Sequence, residues 1–150
     1  EPEIKLDNLS QTLKESFNLF SNSHSKINMK IYHDDKDIFY HFDSFQLTQA
    51  FNNVIKNSVE AVNNIPNPSI TVYLSEKNDL INITIKDNGI GIDDKKIAKL
   101  FEPYFTTKDK GTGLGLSIVK KIIEDHEGEI RIEKNKNMAG TSTIITFDNK

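Results

Sequence analysis

Leu6, Leu9, Leu13, Phe17 and Phe20 recur at steps of three and four, the apolar stripe of an amphipathic helix that should end near Ser21-Asn22-Ser23. Ile27, Met29 and Ile31 then alternate with polar residues, as do Ile38, Tyr40 and Phe42. This predicts a strand pair joined through the turn-forming Asp34-Asp35. A second helix is expected over residues 44–64, stopped by Pro66-Asn67-Pro68. Beyond it Ile70, Val72 and Leu74 alternate, then Ile81, Ile83 and Ile85, giving two strands that flank Lys77-Asn78-Asp79. After Asp87-Asn88-Gly89 the pattern predicts a short helical stretch and a loop over residues 103–113. A helix over residues 114–125 should follow, carrying Leu116, Val119, Ile122 and Ile123 on one face. Ile130 and Ile132, then residues 143–147, read as closing strands. The order predicts an α+β fold, a mixed sheet covered on one face by helices.

At 150 residues the chain fits one domain over residues 1–150, and 36% hydrophobic with 27% charged residues supports a soluble globular core. With no cysteine there is neither a disulfide framework nor a thiolate metal site, and the compartment cannot be read from thiols; cytoplasm is taken as the default. The apolar runs are far shorter than the roughly 20 residues of a membrane span, and Glu1-Pro2-Glu3 does not open a signal peptide. No direct membrane contact is expected. A net charge of −3 with scattered Lys gives no basic stripe to follow a duplex, which argues against nucleic acid as a partner.

Candidate chemistry begins on the second helix. With Asn53 at zero on a wheel of about 100° per residue, Gln49, Glu60, Gln46 and Asn57 all fall within about 40° of it. Leu47, Phe51, Val54, Ile55 and Val62 occupy the opposite arc. The amide-rich edge is either a solvated face or a site for magnesium and phosphate, since a side-chain carbonyl is a hard ligand and Mg²⁺ commonly takes one or two protein oxygens.

Two glycine loops follow. Asp87-Asn88-Gly89-Ile90-Gly91 ends an alternating strand, where a held carboxylate and two glycines suit a flat ligand, though Asn-Gly is also a common turn. An ionised Asp only accepts hydrogen bonds, so it suits the exocyclic amine of adenine and disfavours the carbonyl of guanine. Gly111-Thr112-Gly113-Leu114-Gly115-Leu116 fits neither the dinucleotide nor the P-loop spacing. It reads as a glycine-rich loop opening a helix, whose free N–H groups and positive end suit phosphate oxygens, with Thr106, Thr107, Lys108 and Lys110 just before it.

Taken in order, Asn53-x-x-x-Asn57, Asp87-x-Gly89-x-Gly91, the Phe101-Glu102-Pro103-Tyr104-Phe105-Thr106-Thr107-Lys108 stretch and the second glycine loop resemble the N, G1, F and G2 boxes of histidine kinases. The resemblance covers nearly the whole chain and points to nitrogen-regulation sensor kinases of the NtrY/NtrB type. It implies the Bergerat fold, a two-layer α/β sandwich, with ATP and Mg²⁺ as ligands. Carried over, Asn57 resembles the metal ligand and Asn53 its neighbour near the phosphates. Asp87 resembles the adenine-binding aspartate, and Gly89, Gly91 and Ile92 the base pocket. Lys108 would reach the phosphates from a lid over residues 101–113. Gly111, Thr112, Gly113, Leu114, Gly115 and Leu116 would close over the triphosphate, and Phe101 and Phe105 would anchor the lid.

Two departures stand out. Glu60 occupies the position where many of these kinases carry Lys, and His126-Glu127-Gly128 stands for the frequent His-Gly-Gly, which should alter only the turn after the helix. In the ATPases of this superfamily a Glu four residues before the metal Asn activates water. Here that residue is Asn53, an amide with no useful basicity, which favours transfer over hydrolysis.

The phosphoacceptor motif, a His with Pro five residues on, is not in this sequence, because the prolines stand only at 2, 66, 68 and 103. His24, His33, His41 and His126 are therefore read as surface or packing residues. The resemblance thus implies a separate dimerisation and phosphoacceptor domain preceding the helix within residues 1–22, and a response regulator acting indirectly. It also implies a monomeric fragment of a homodimeric kinase whose full-length form could be anchored in the inner membrane. Against this stand a serine or mitochondrial-type protein kinase on the same fold, and a module that holds nucleotide without chemistry.

Overall fold

The computed structural model describes residues 1–103 and 115–150. Its elements run β1 (Lys5–Asn8), α1 (Leu9–Ser23), β2 (Asn28–His33), β3 (Phe39–Phe42), α2 (Ser44–Ala61), β4 (Ser69–Lys77), β5 (Leu80–Asp87), α3 (Asp94–Ile97), α4 (Gly115–Asp125), β6 (Glu129–Lys134) and β7 (Thr141–Asp148). Five strands form a mixed sheet in the order β2-β4-β5-β7-β6, parallel only between β2 and β4. Helix α1 lies against β2, α2 against β5 and α4 against β6, so the helical layer spans the sheet from edge to edge. The predicted α+β sandwich with helices on one face is the fold found.

The core lies between the layers. Leu47, Phe51 and Ile55 of α2 are fully buried against Ile81, Ile83 and Ile85 of β5, and each such side chain stabilises the fold by roughly 1.5–3 kcal/mol relative to exposure. The β4–β5 hairpin closes through Asn78 (φ 53°) and Asp79 (φ 64°), a two-residue turn with both centres left-handed.

Three expectations are corrected. The first helix does not begin at Leu6, which is 61% exposed and sits in β1; Asn8 caps α1 by accepting the N–H of Gln11 at 3.0 Å. The second helix stops at Ala61, short of Asn64, which has φ 69°. The strands on either side of Asp34-Asp35 do not pair. Instead β2 runs parallel to β4, while β3 joins β1 in a separate two-stranded antiparallel sheet. Parallel neighbours require a long crossover, and β3 plus α2 supply it. Asp34 ties that turn to the main sheet by accepting the Glu76 N–H at 3.0 Å.

Candidate functional site

Strand β5 carries Asp87 to the end of the sheet, where it is only 4% exposed. Three donors converge on its carboxylate: the Gly89 N–H at 2.9 Å, the Ser58 hydroxyl from α2 and the Thr141 N–H from β7. Burial pushes the Asp87 carboxyl above its ordinary value, and these three donors oppose the shift. The sequence singled out neither Ser58 nor Thr141. Ser58 follows Asn57 directly but points to the buried side, and Thr141 reaches Asp87 only through the β5–β7 register.

The C-terminal end of the amide edge of α2 is tied to this strand end through Ser58, the neighbour of Asn57. Asn53 and Asn57 are half-buried, as is Gln46, whereas Gln49 and Glu60 are exposed. The five residues thus share a face on the wheel but not an environment. Helix α2 also packs along α4, so the amide edge lies in the layer that the helix following the second glycine loop completes.

Gly89 also meets a packing requirement that its motif does not announce. A Cβ there would lie 2.5 Å from the carbonyl oxygen of Ala61, so the missing side chain lets the loop rest on the end of α2. Ile90 N–H bonds the same carbonyl at 3.3 Å. Gly91, at φ 75°, turns the chain past Gly140. It leads into half-buried Ile92, and Ile90, Ile92, Met138 and Ala139 contribute to a cleft of about 320 Å³ between this loop and the β6–β7 turn.

Phe101 is half-buried with Lys120 of α4 over its ring, 5.3 Å from the centroid. Gly115 opens α4, where among the described residues nothing beyond its chain neighbours and its own helix backbone comes within 4 Å of a Cβ, and Leu116 beside it is half-buried. Lys108, Gly111, Thr112, Gly113 and Leu114 lie outside the described residues, as do Phe105, Thr106 and Thr107. His126 is a packing residue, as expected, and a buried one. Among the described residues no group of three or more His, Asp or Glu gathers as a metal cage, and no helix is long and apolar enough to cross a membrane.

A mixed sheet backed by helices, with a buried carboxylate at a strand end and amides on the adjoining helix, makes this an α+β sandwich with a polar site at one end of the sheet. The chain belongs to the family of histidine kinase-, DNA gyrase B- and HSP90-like ATPases, whose profile matches residues 42–150. It is 41% identical over 102 residues to sporulation kinase E of Bacillus subtilis, covering 68% of this chain and 14% of that kinase. It is equally 41% identical over 108 residues to a putative NtrY-like sensor histidine kinase of Rickettsia typhi, covering 72% of this chain and 18% of the relative. The chain therefore spans less than a fifth of the length of either relative. Among solved structures it superposes on the catalytic domain of histidine kinase ThkA with a TM-score of 0.87 and 31% identity, covering 98% of this chain and 96% of that one. A second structure, of ThkA in complex with the response regulator protein TrrA, gives a TM-score of 0.84 and 28% identity over 99% of this chain and 42% of that one. Both the sensor-kinase and the sporulation-kinase branches are thus represented among its relatives.

Proposed function

We propose that residues 1–150 form a catalytic domain that binds Mg-ATP and donates the γ-phosphoryl group to a histidine on a separate dimerisation domain of the same kinase. The observation that carries this reading is the buried Asp87 carboxylate, held by a hydroxyl from α2 next to the position of Asn57. Asp87 would accept the exocyclic amine of adenine, with Gly91 and Ile92 beside the base.

The donor set fits Mg²⁺: a side-chain amide oxygen at Asn57 is a hard ligand, and an ion that keeps waters and phosphate oxygens needs little more from the protein. Asn57 would hold the ion with Asn53 beside it, and the bound ion would neutralise charge on the phosphates. Lys108 would hold the phosphates from the lid, and Gly111 to Leu116 would offer backbone N–H groups to their oxygens. Asn53, an amide, cannot take a proton from water, so the arrangement favours transfer to an acceptor that brings its own nucleophile. The complex of ThkA with a response regulator supports a regulator as the next recipient, and the same reading assigns the domain to the cytoplasm.

The test mixes this chain and labelled ATP with a separately made dimerisation domain carrying its histidine. Acid-labile, base-stable label on that domain is expected, and Asn57→Ala should abolish it while the circular dichroism of the fold is unchanged. Free phosphate as the sole product would refute transfer, and unaltered Mg-ATP affinity in Asn57→Ala would refute the metal assignment.

A further inference from the structure

The direction of the Asp87 carboxylate is set partly by its backbone, and the groups that grip that backbone lie outside every box of the site. The carbonyl oxygen of Asp87 accepts a hydrogen bond from Asn135 Nδ2 at 2.7 Å. The same amide nitrogen donates to the Ala139 carbonyl at 3.1 Å, while Asn135 Oδ1 accepts the Ser142 hydroxyl at 2.6 Å. Both ends of the Asn135 amide are thereby engaged, one on the Asp87 carbonyl and the β6–β7 turn, the other on β7. Its backbone N–H closes the turn onto Gly140 O at 3.1 Å.

Gly140 adds a steric reason. It sits at φ 106°, and a Cβ there would collide with the Asp87 carbonyl oxygen and lie 2.8 Å from Asn88 Cα. The turn therefore meets the chain around Asp87 in direct backbone contact. From the other side β4 holds the same peptide: Asn88 N–H donates to Ser69 O at 3.3 Å, and Asn88 Oδ1 accepts the Ser69 N–H at 2.8 Å. The peptide after Asp87 is gripped at its carbonyl by Asn135 and at its N–H by Ser69, and the pairing of Lys86 and Asp87 with β4 holds the chain before it, so together they restrict the direction of the Asp87 Cα–Cβ bond. The side-chain torsions are left for Gly89, Ser58 and Thr141 to set.

We propose that Asn135 is a positioning residue for purine selection, fixing through the Asp87 carbonyl where the carboxylate meets the amine edge of the base. The inference rests on the reading of Asp87 as the base-binding group. Rejection of guanine needs rigidity more than acceptance of adenine does. A carboxylate free to swing aside escapes the guanine carbonyl, whereas one held in place must face it. Loosening the clamp should therefore weaken ATP and relax the penalty on GTP together.

The experiment measures Mg-ATP and Mg-GTP affinities by calorimetry for the parent chain, Asn135→Ala, Ser142→Ala, Asp87→Asn and the Asp87→Asn/Asn135→Ala double variant, each checked for folding by circular dichroism. In Asn135→Ala the ATP-over-GTP affinity ratio should fall about tenfold, the scale of a displaced reading group. Ser142→Ala should move it in the same direction by less, and it carries the test if Asn135→Ala does not fold. In the Asp87→Asn background, removing Asn135 should leave the ratio where Asp87→Asn put it. A parent that discriminates while Asn135→Ala, or Ser142→Ala in its place, keeps the full ratio overturns the proposal. A parent with no preference for ATP, or an Asp87→Asn variant that retains it, refutes the base-binding assignment itself, and the proposal falls with it.

Discussion

His126 Nε2 accepts the backbone N–H of Asp43 at 3.0 Å across 83 positions of sequence, while its Nδ1 lies 2.7 Å from the carbonyl of Ile122. A carbonyl can only accept, so Nδ1 carries the proton and the ring is the neutral tautomer that can receive the Asp43 N–H. The carbonyl of His126 also accepts the Tyr40 hydroxyl at 3.0 Å. One buried residue therefore joins the end of α4 to the start of α2 and to β3.

His126→Ala should cost about 1–3 kcal/mol or more, because it leaves the buried Asp43 N–H without an acceptor and opens a cavity. Urea unfolding measures it. A loss below about 0.5 kcal/mol, the range of ordinary surface substitutions, would show that water replaces the ring at no cost.

Glu127 follows the last turn of α4 with φ 59°, its N–H on Glu124 O at 2.9 Å and the Gly128 N–H on Ile123 O at 2.9 Å. This is a Schellman cap with a non-glycine at the left-handed position. Glu127→Gly should stabilise the fold by about 0.5–1 kcal/mol, the relief of left-handed strain less the added freedom of the unfolded chain. A lowered midpoint in the same urea titration would contradict that account of the cap.

Asp43 caps α2 by accepting the Gln46 N–H at 3.0 Å, and its Oδ2 accepts the Glu3 N–H at 2.8 Å. The Glu3 bond is the largest influence holding its carboxyl below the ordinary value of 3.8; burial opposes it, and further backbone bonds from Gln46 and Phe45 act in the same direction as Glu3. A lowered folded value means that this stabilisation is present above 3.8 and is lost as pH falls through the folded value. Asp43→Asn should therefore flatten the acid limb of stability against pH below 3.8. An acid limb identical to the parent's would remove Asp43 from the explanation.

Asp87 runs the other way. Its folded value is raised, chiefly by burial, so its contribution to stability is fully present below 3.8 and is lost as pH rises through the folded value. Adenine requires the ionised form, so ATP affinity should climb with pH through that same window, above 3.8. Calorimetry across the window should show the rise in the parent and a flat profile in Asp87→Asn. A parent affinity that does not vary with pH there argues against the carboxylate as the acceptor.

Local patterns were legible in the sequence where they were settled locally. Asn78-Asp79 announces the β4–β5 hairpin because a two-residue turn dictates which strands meet. Asp34-Asp35 resembles the same signal, yet the pairing of β2 with β4 and of β3 with β1 is decided by strands far along the chain. Leu6 extended the helical stripe by one step because it lies three residues before Leu9, and only the Asn8 cap marks the true start. The candidate site divides similarly. Asp87 and the two glycines after it stand out as a motif, whereas the wheel marks only a polar face of α2 and the family resemblance alone picks Asn57 from it. Ser58, Asn135 and Thr141 are ordinary polar residues until the packing of α2 on β5 brings Ser58, and the β5–β7 pairing with the β6–β7 turn brings Thr141 and Asn135, to Asp87.

Where Gly89 lies on Ala61, backbone rests on backbone with no side chain between them. Asn57 stands one helical turn before Ala61 and Asp87 two residues before Gly89, so the residues assigned to the metal and to the base share one incompressible joint. On the proposed reading, the spacing between the metal and base positions would be built into main-chain contact, a gauge that side-chain motion cannot reset. Gly89→Ala would lengthen the gauge while leaving the side chains of Asn57 and Asp87 unchanged.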